Sequence, residues 1–167
     1  MGRAPYNVLV LPYRRAQGVE YCVFERTDMR IWQFIAGGGE DGEMPIDAAR
    51  REAMEEGGIP ASLPYQRLTT LTYVPVNCFS RETRRGWGSD TLVIPVHCFA
   101  VEVPLDLEIA LSPEHTQYRW ANYDAAADLL RYDVDRTALW ELKERLRLAA
   151  DATCRGSLWA ARDIYLG

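Results

Sequence analysis

Aromatic and β-branched residues crowd positions 6–13 and 20–26, with a charged turn around Gly18 between them, a pattern that predicts a β-hairpin. A short apolar run at 32–36 follows and ends in Gly37-Gly38-Gly39, where the backbone can take conformations closed to other residues. A turn or ligand loop is expected there. Pro45 suits a first helical position, residues 48–56 are good helix formers, and Gly57-Gly58 form a stop, so one helix of about three to four turns is expected. Residues 68–76 and 91–103 read as long strands, the second apolar enough to be central, with a polar loop at 81–88 between them. The last third holds a strand at 117–121, then helical spacing at 124–130 and 136–149, where Leu139, Leu142, Leu146 and the nearby Trp140 suit a helix packed on a sheet. From Asp151 onward, Trp159 and Tyr165 make the tail too apolar for a solvated linker.

These elements imply an α/β (α+β) fold in which a mixed sheet lies between helices. At 167 residues the chain is one domain, or one domain with a short appendage. Its 48% hydrophobic and 26% charged residues are near globular averages, which excludes a disordered or collagen-like chain. A net charge of −5 argues against broad nucleic-acid or anionic-membrane binding. No apolar run approaches the roughly 18–20 residues of a membrane span, and no targeting segment is evident, so a cytoplasmic location is expected. Cys22, Cys78, Cys98 and Cys154 form no C-x-x-C pair, which rules out zinc ribbons and favours reduced thiols.

The chemistry concentrates around the glycine run and the helix after it. Gly37 is followed after five residues by Glu43, after seven more by Arg51-Glu52-Ala53, then after one by Glu55-Glu56 and after one by Gly58-Ile59. On a helix, Glu52, Glu55 and Glu56 fall within an arc of about 100°. Three carboxylates on one strip repel one another. Divalent cations are the natural compensation, and Mg²⁺ favours a few carboxylates together with water and phosphate oxygens. Ile46, Ala49 and Ala53 on the adjoining face let the helix approach a sheet closely, and Glu43 with Arg51 can tie loop to helix. The alternative is a solvated acidic face, the ordinary state of glutamate clusters.

This spacing is the Nudix box, and the chain resembles the Nudix hydrolases over about residues 5–150. The resemblance implies a Nudix domain at 1–150, with 151–167 a tail of open role, packed on the same domain or on a partner in a homodimer. It implies hydrolysis of a diphosphate linkage in a small nucleotide-like or pterin phosphate, by water attack on phosphorus with Mg²⁺ or Mn²⁺ bound. The metal set it implies is Glu52, Glu55 and Glu56, with the backbone carbonyl of Ala36 or Gly37; which of the three acts as base varies among members, with Glu52 the first choice and Glu56 also counted as catalytic. Glu43, Arg51 and Gly58 take structural roles in the box.

Outside the box, Ser112-Pro113-Glu114-His115 ahead of Tyr118-Arg119-Trp120 looks like the segment that carries a further acid in bacterial dihydroneopterin triphosphate pyrophosphatases. Trp32-Gln33 and Arg3-Ala4-Pro5 are further similarities to that group. Glu114 is therefore a candidate catalytic and metal-binding acid, with an exposed loop carboxylate as the alternative. Arg3 and Arg26 are candidate phosphate contacts by position, with Gly37 and Gly38 as backbone contacts. In the loop, Arg81, Arg84 and Arg85 could hold phosphates while Trp87 stacks on a base or pterin; an ordinary surface loop is the alternative. His97 reads as a core residue. Ala53 departs from the usual bulky aliphatic of the box. Pro75 gives weak support to ADP-ribose as substrate, dinucleoside polyphosphates are a further option, and a nucleotide-sensing domain without turnover is the reading from another class.

Overall fold

The computed structural model describes residues 2–162, and for 155–162 the backbone alone. Seven strands, β1 (Arg3–Arg15), β2 (Val19–Arg26), β3 (Trp32–Gln33), β4 (Ile35–Glu40), β5 (Tyr65–Pro75), β6 (Val93–Glu102) and β7 (His115–Ala121), form one mixed sheet. Its helices are α1 (Pro45–Gly57), α2 (Tyr123–Leu129) and α3 (Asp133–Arg162). The hairpin forms as expected, with Tyr13 opposite Tyr21 and Arg15 opposite Val19. β6 lies between β1, to which it is parallel, and β5, to which it is antiparallel, which accounts for its apolar run.

β1 is long enough to change partners. Its first part pairs with β4 from Arg3 to Val10, and only its end pairs with β2. The two faces of the sheet then bury separate cores. On one side Val8, Val10 and Ile35 pack against Ala48, Ala49 and Ala53 of α1, whose small side chains bring the helix close to the strands. On the other, Leu9, Leu11 and Phe34 meet Leu139, Leu142 and Leu146 of α3. Pro45 opens α1, and Gly58 closes it with φ of 65°, its N–H donating to the Met54 carbonyl while Ile59 N–H donates to Ala53.

Two expectations are corrected. Gly37, Gly38 and Gly39 are not a loop; they lie within β4, where Gly37 pairs with Val8 and Gly38 with Asn7. Their lack of side chains answers a need for room across the sheet rather than a need to turn. The last helix is also longer than the 136–149 spacing indicated, since α3 continues through residue 162. The packing expected of Trp159 and Tyr165 lies outside the described residues.

His97 is half-buried rather than in the core, with Nδ1 3.0 Å from Arg67 and its ring edge-on to Tyr6. Among the described residues no helix is long and apolar enough to cross a membrane.

α3 is fastened to β5 by one carboxylate. β5 slips register against β6 between Arg67 and Leu71, and there Glu141 accepts hydrogen bonds from Thr69 N–H (2.6 Å) and Thr70 N–H (2.7 Å). The Thr70 hydroxyl (2.5 Å) and Arg145 Nε (2.8 Å) complete the set. Burial raises the acid's pKa, but these donors outweigh it and hold the group at about 2. Folding therefore lowers this pKa below its ordinary 4.5, so the stabilisation is complete above that pH and declines as pH falls towards 2. Glu141→Gln places an amide against backbone N–H groups and is expected to cost about 2–3 kcal/mol near neutrality. Urea unfolding at pH 7 and at pH 3 checks this, because the difference between variant and wild type should shrink at the lower pH.

Candidate active site

The box residues meet where α1 crosses β4. Glu43, at the turn before the helix, forms a two-pronged pair with Arg51, Nε to Oε1 at 3.1 Å and Nη2 to Oε2 at 3.0 Å, and also accepts from Glu40 N–H. Arg51 reaches on to the Gly38 carbonyl at 2.8 Å and to Glu52 Oε1 at 2.9 Å. One guanidinium thus joins turn, strand and helix and aims the Glu52 carboxylate, as a planar fork of donors can. Glu52 rests directly on Gly37: a Cβ there would lie 1.9 Å from Glu52 Cδ. A Cβ on Gly38 would lie 2.0 Å from Arg3 Cζ on the other side of the strand.

Glu56, one turn after Glu52, is 3% exposed. Burial first, then the charges of Glu52 and Glu114, push its pKa up to about 9. Glu52 is also raised, chiefly by burial. Glu56 Oε2 has no hydrogen-bond partner although it is buried, and His115 Nε2 lies 3.6 Å away. Burial holds His115 below its ordinary pKa, so a neutral imidazole offers this oxygen no charge. Glu114 is exposed, its backbone carbonyl accepting from Thr27 N–H, and it lines the same cleft.

Two neighbouring buried acids, one with an orphaned oxygen, fit a divalent cation that would supply the missing partner. Among the described residues no three acid, histidine or cysteine side chains enclose a point by themselves.

The cleft has a volume of about 690 Å³ and opens on the face of the sheet that α3 covers. Ala36, Gly37, Gly38, Arg3, Arg26, Glu52, Glu56 and Glu114 all line it. Arg3 donates to Asn7 Oδ1 at 2.7 Å, while its buried Nε has no partner. Arg26 is held by Asp28 at 2.6 Å. Five candidates are elsewhere, Arg81 among them. Glu55 is 57% exposed and bound to Arg51 at 3.3 Å, because it falls at the outer edge of the acidic strip. Of the acids named from the sequence, Glu52 and Glu56 of the box and Glu114 from outside it line the cleft, and Glu55 does not. Arg84, Arg85 and Trp87 do not line the cleft. Arg84 turns back to the Ser80 carbonyl, Arg85 borders a separate surface hollow, and Trp87 packs edge-on to Phe79 with its indole N–H on the Arg3 carbonyl at 2.6 Å.

Several lining residues escaped the sequence reading. Asn7, Tyr132, Asp135 and the aromatic Phe79 carry no local signal, and Gln33 entered only as part of Trp32-Gln33.

The geometry agrees with comparisons to known proteins. The NUDIX domain profile matches residues 4–141. The chain belongs to the Nudix family. A crystal structure of a NUDIX hydrolase from Listeria monocytogenes superposes with a TM-score of 0.77 at 35% identity, covering 87% of this chain and 97% of that one. Nudix hydrolase 13, mitochondrial, of Arabidopsis thaliana is 32% identical over 71% of this chain, which spans 55% of that protein's length. Dihydroneopterin triphosphate diphosphatase of Escherichia coli K12 is 26% identical over 82% of this chain and 91% of its own. The Nudix domain thus includes β1 to β7, α1, α2 and the first part of α3.

Proposed function

We propose that this chain is a Mg²⁺-dependent pyrophosphohydrolase that cleaves a diphosphate linkage in a nucleoside or pterin triphosphate. The observation that carries the reading is the buried Glu52–Glu56 pair, with its orphaned oxygen, opening on a cleft that also holds Arg3, Arg26 and Glu114. The similarity to the E. coli dihydroneopterin triphosphate diphosphatase over most of both chains supports a triphosphate substrate.

Glu52, Glu56 and Glu114 would hold Mg²⁺ or Mn²⁺, with Ala36 or Gly37 able to add a backbone carbonyl. When bound, the metal neutralises phosphate oxygens and acidifies the attacking water. Arg3 and Arg26, both lining the cleft, orient the phosphate chain. Glu52, fixed in position by Arg51, takes the proton that water releases as it attacks phosphorus, while the bridging oxygen leaves with its phosphate. The retained acids favour this reading over a sensing domain without turnover.

A release screen with Mg²⁺ and Mn²⁺ tests it, using nucleoside triphosphates, dihydroneopterin triphosphate, ADP-ribose and a dinucleoside polyphosphate. Pyrophosphate from a triphosphate is expected. Turnover confined to the last two substrates would move the reading to those classes, and no turnover at any metal concentration would overturn it. Glu114→Gln is expected to reduce activity about 10–100-fold, less than loss of a buried acid, because Glu114 is exposed and water can take its place on the metal. Unchanged metal dependence in that variant would assign the segment a structural role alone.

A further inference from the structure

Glu114 combines a pinned backbone with a free side chain. Thr27, the first residue after β2, donates its N–H to the Glu114 carbonyl at 2.8 Å and its hydroxyl to the Pro113 carbonyl at 2.8 Å. Ser112 takes the opposite sides of the same two peptide groups: its Oγ accepts the Glu114 N–H at 3.3 Å, and its carbonyl accepts the His115 N–H at 3.2 Å. Every polar atom of the peptides flanking Glu114 is therefore bonded. Peptide groups are planar, so fixing both planes fixes φ and ψ of the residue between them, and with these the direction of its Cβ. The Glu114 carboxylate, by contrast, makes no hydrogen bond or ion pair among the described residues. Arg26, near enough to feel its charge, is forked to Asp28 instead, Nε to Oδ1 at 2.8 Å and Nη2 to Oδ2 at 2.6 Å.

The segment is tied down on both sides. Ser112 N–H donates to the Glu56 carbonyl at 3.3 Å, which joins it to the end of the helix that carries the buried acids. On the other side β7 skips one residue against β2, Glu25 pairing with Gln117 and Arg26 with His115. The bulged Thr116 places its hydroxyl on the buried Glu25 carboxylate at 2.7 Å, beside Gln117 Nε2 at 2.8 Å. Bulges re-aim side chains next to functional sites. Neither Thr27 nor Ser112 lines the cleft, so neither acts on substrate directly.

We propose that Thr27, with Ser112 opposite it, is a positioning residue that aims Glu114 at a cation held by Glu52 and Glu56. The inference rests on the metal reading of those three acids. A long side chain gives up rotamer freedom when it takes a ligand. Fixing its backbone beforehand removes part of that cost, and a carboxylate with no protein partner has none to exchange. Pro113, whose ring locks its own φ, adds to the same rigidity.

Thr27→Val keeps the branched shape and the backbone N–H but removes the hydroxyl. Mn²⁺ binding to the full chain without substrate, followed by the electron paramagnetic resonance of free Mn²⁺, is expected to weaken about threefold to tenfold, the scale of one lost hydrogen bond. The Mg²⁺ concentration for half-maximal turnover is expected to rise by the same factor, and Thr27→Ser to restore both. A double-mutant cycle separates positioning from general support: in a Glu114→Gln background, Thr27→Val is expected to have no further effect. Equal Mn²⁺ affinity in wild type and Thr27→Val, or the same loss with and without the Glu114 carboxylate, overturns the proposal and leaves the metal reading standing. Wild type that neither binds Mn²⁺ nor turns over with metal removes that reading, and the proposal with it. Should a thermal melt show Thr27→Val unfolded, Ser112→Ala releases the Glu114 N–H with Thr27 in place and is expected to weaken Mn²⁺ binding in the same way; no change there overturns the proposal.

Discussion

Replacing Glu56 by glutamine is expected to lower kcat about a hundred- to thousandfold without lowering Tm. The buried carboxyl keeps its volume but can no longer ionise, so a cation in the cleft loses one of its inner charges. Several kcal/mol of transition-state stabilisation come from a metal acting on phosphate, and each 1.36 kcal/mol is about tenfold in rate. The fold has no comparable stake in that charge. Burial and the neighbouring Glu52 and Glu114 already oppose ionisation of Glu56, and its Oε2 has no protein partner to lose. Steady-state kinetics across Mg²⁺ concentrations, together with a thermal melt, check both halves. Wild-type turnover in the variant would remove Glu56 from the metal set.

Gly37→Ala is expected to lower activity about a hundredfold by a different route. No chemical group is removed, but a methyl would occupy the space in which the Glu52 carboxylate rests, 1.9 Å from Cδ. That carboxylate is the free end of a flexible side chain, so it can be displaced while the backbone pairing of Gly37 with Val8 remains. A displacement of about 1 Å in a positioned group is enough for a loss of this size. The loss should fall on kcat with the circular dichroism spectrum unchanged. A variant that keeps full activity would show that Glu52 acts from another position.

The contrast between these two sites shows what one sequence can reveal. Everything that depends on helical spacing was legible: the acidic strip, the Pro45 and Gly58 boundaries of α1, the small residues facing the strands, and the Glu43–Arg51 pair. The glycine run was not, because glycine signals a turn locally, whereas here Glu52 and Arg3 fill the space that absent side chains leave. Those neighbours are 15 and 35 residues away in sequence. Glu55 belongs to the same strip by spacing, but only the packed helix shows that it falls on the solvent side. The loop with Arg84, Arg85 and Trp87 has the composition of a phosphate-binding segment, yet its tryptophan finds a backbone carbonyl on β1 instead. Asp135 reads as an ordinary acid in the first turn of a helix. Its partner, the Phe34 amide, is 101 residues earlier.

The carboxylate that fastens α3 to β5 has a consequence beyond stability. β5 is the last strand on its side of the sheet, and an outer strand with unpaired amides invites another chain to add itself. At Thr69 and Thr70 the ladder to β6 is interrupted, and Glu141 takes both amides, so at this point a helix rather than a neighbouring strand closes β5. Loss of that carboxylate would show first as faster hydrogen exchange at these two amides in a chain that is still folded.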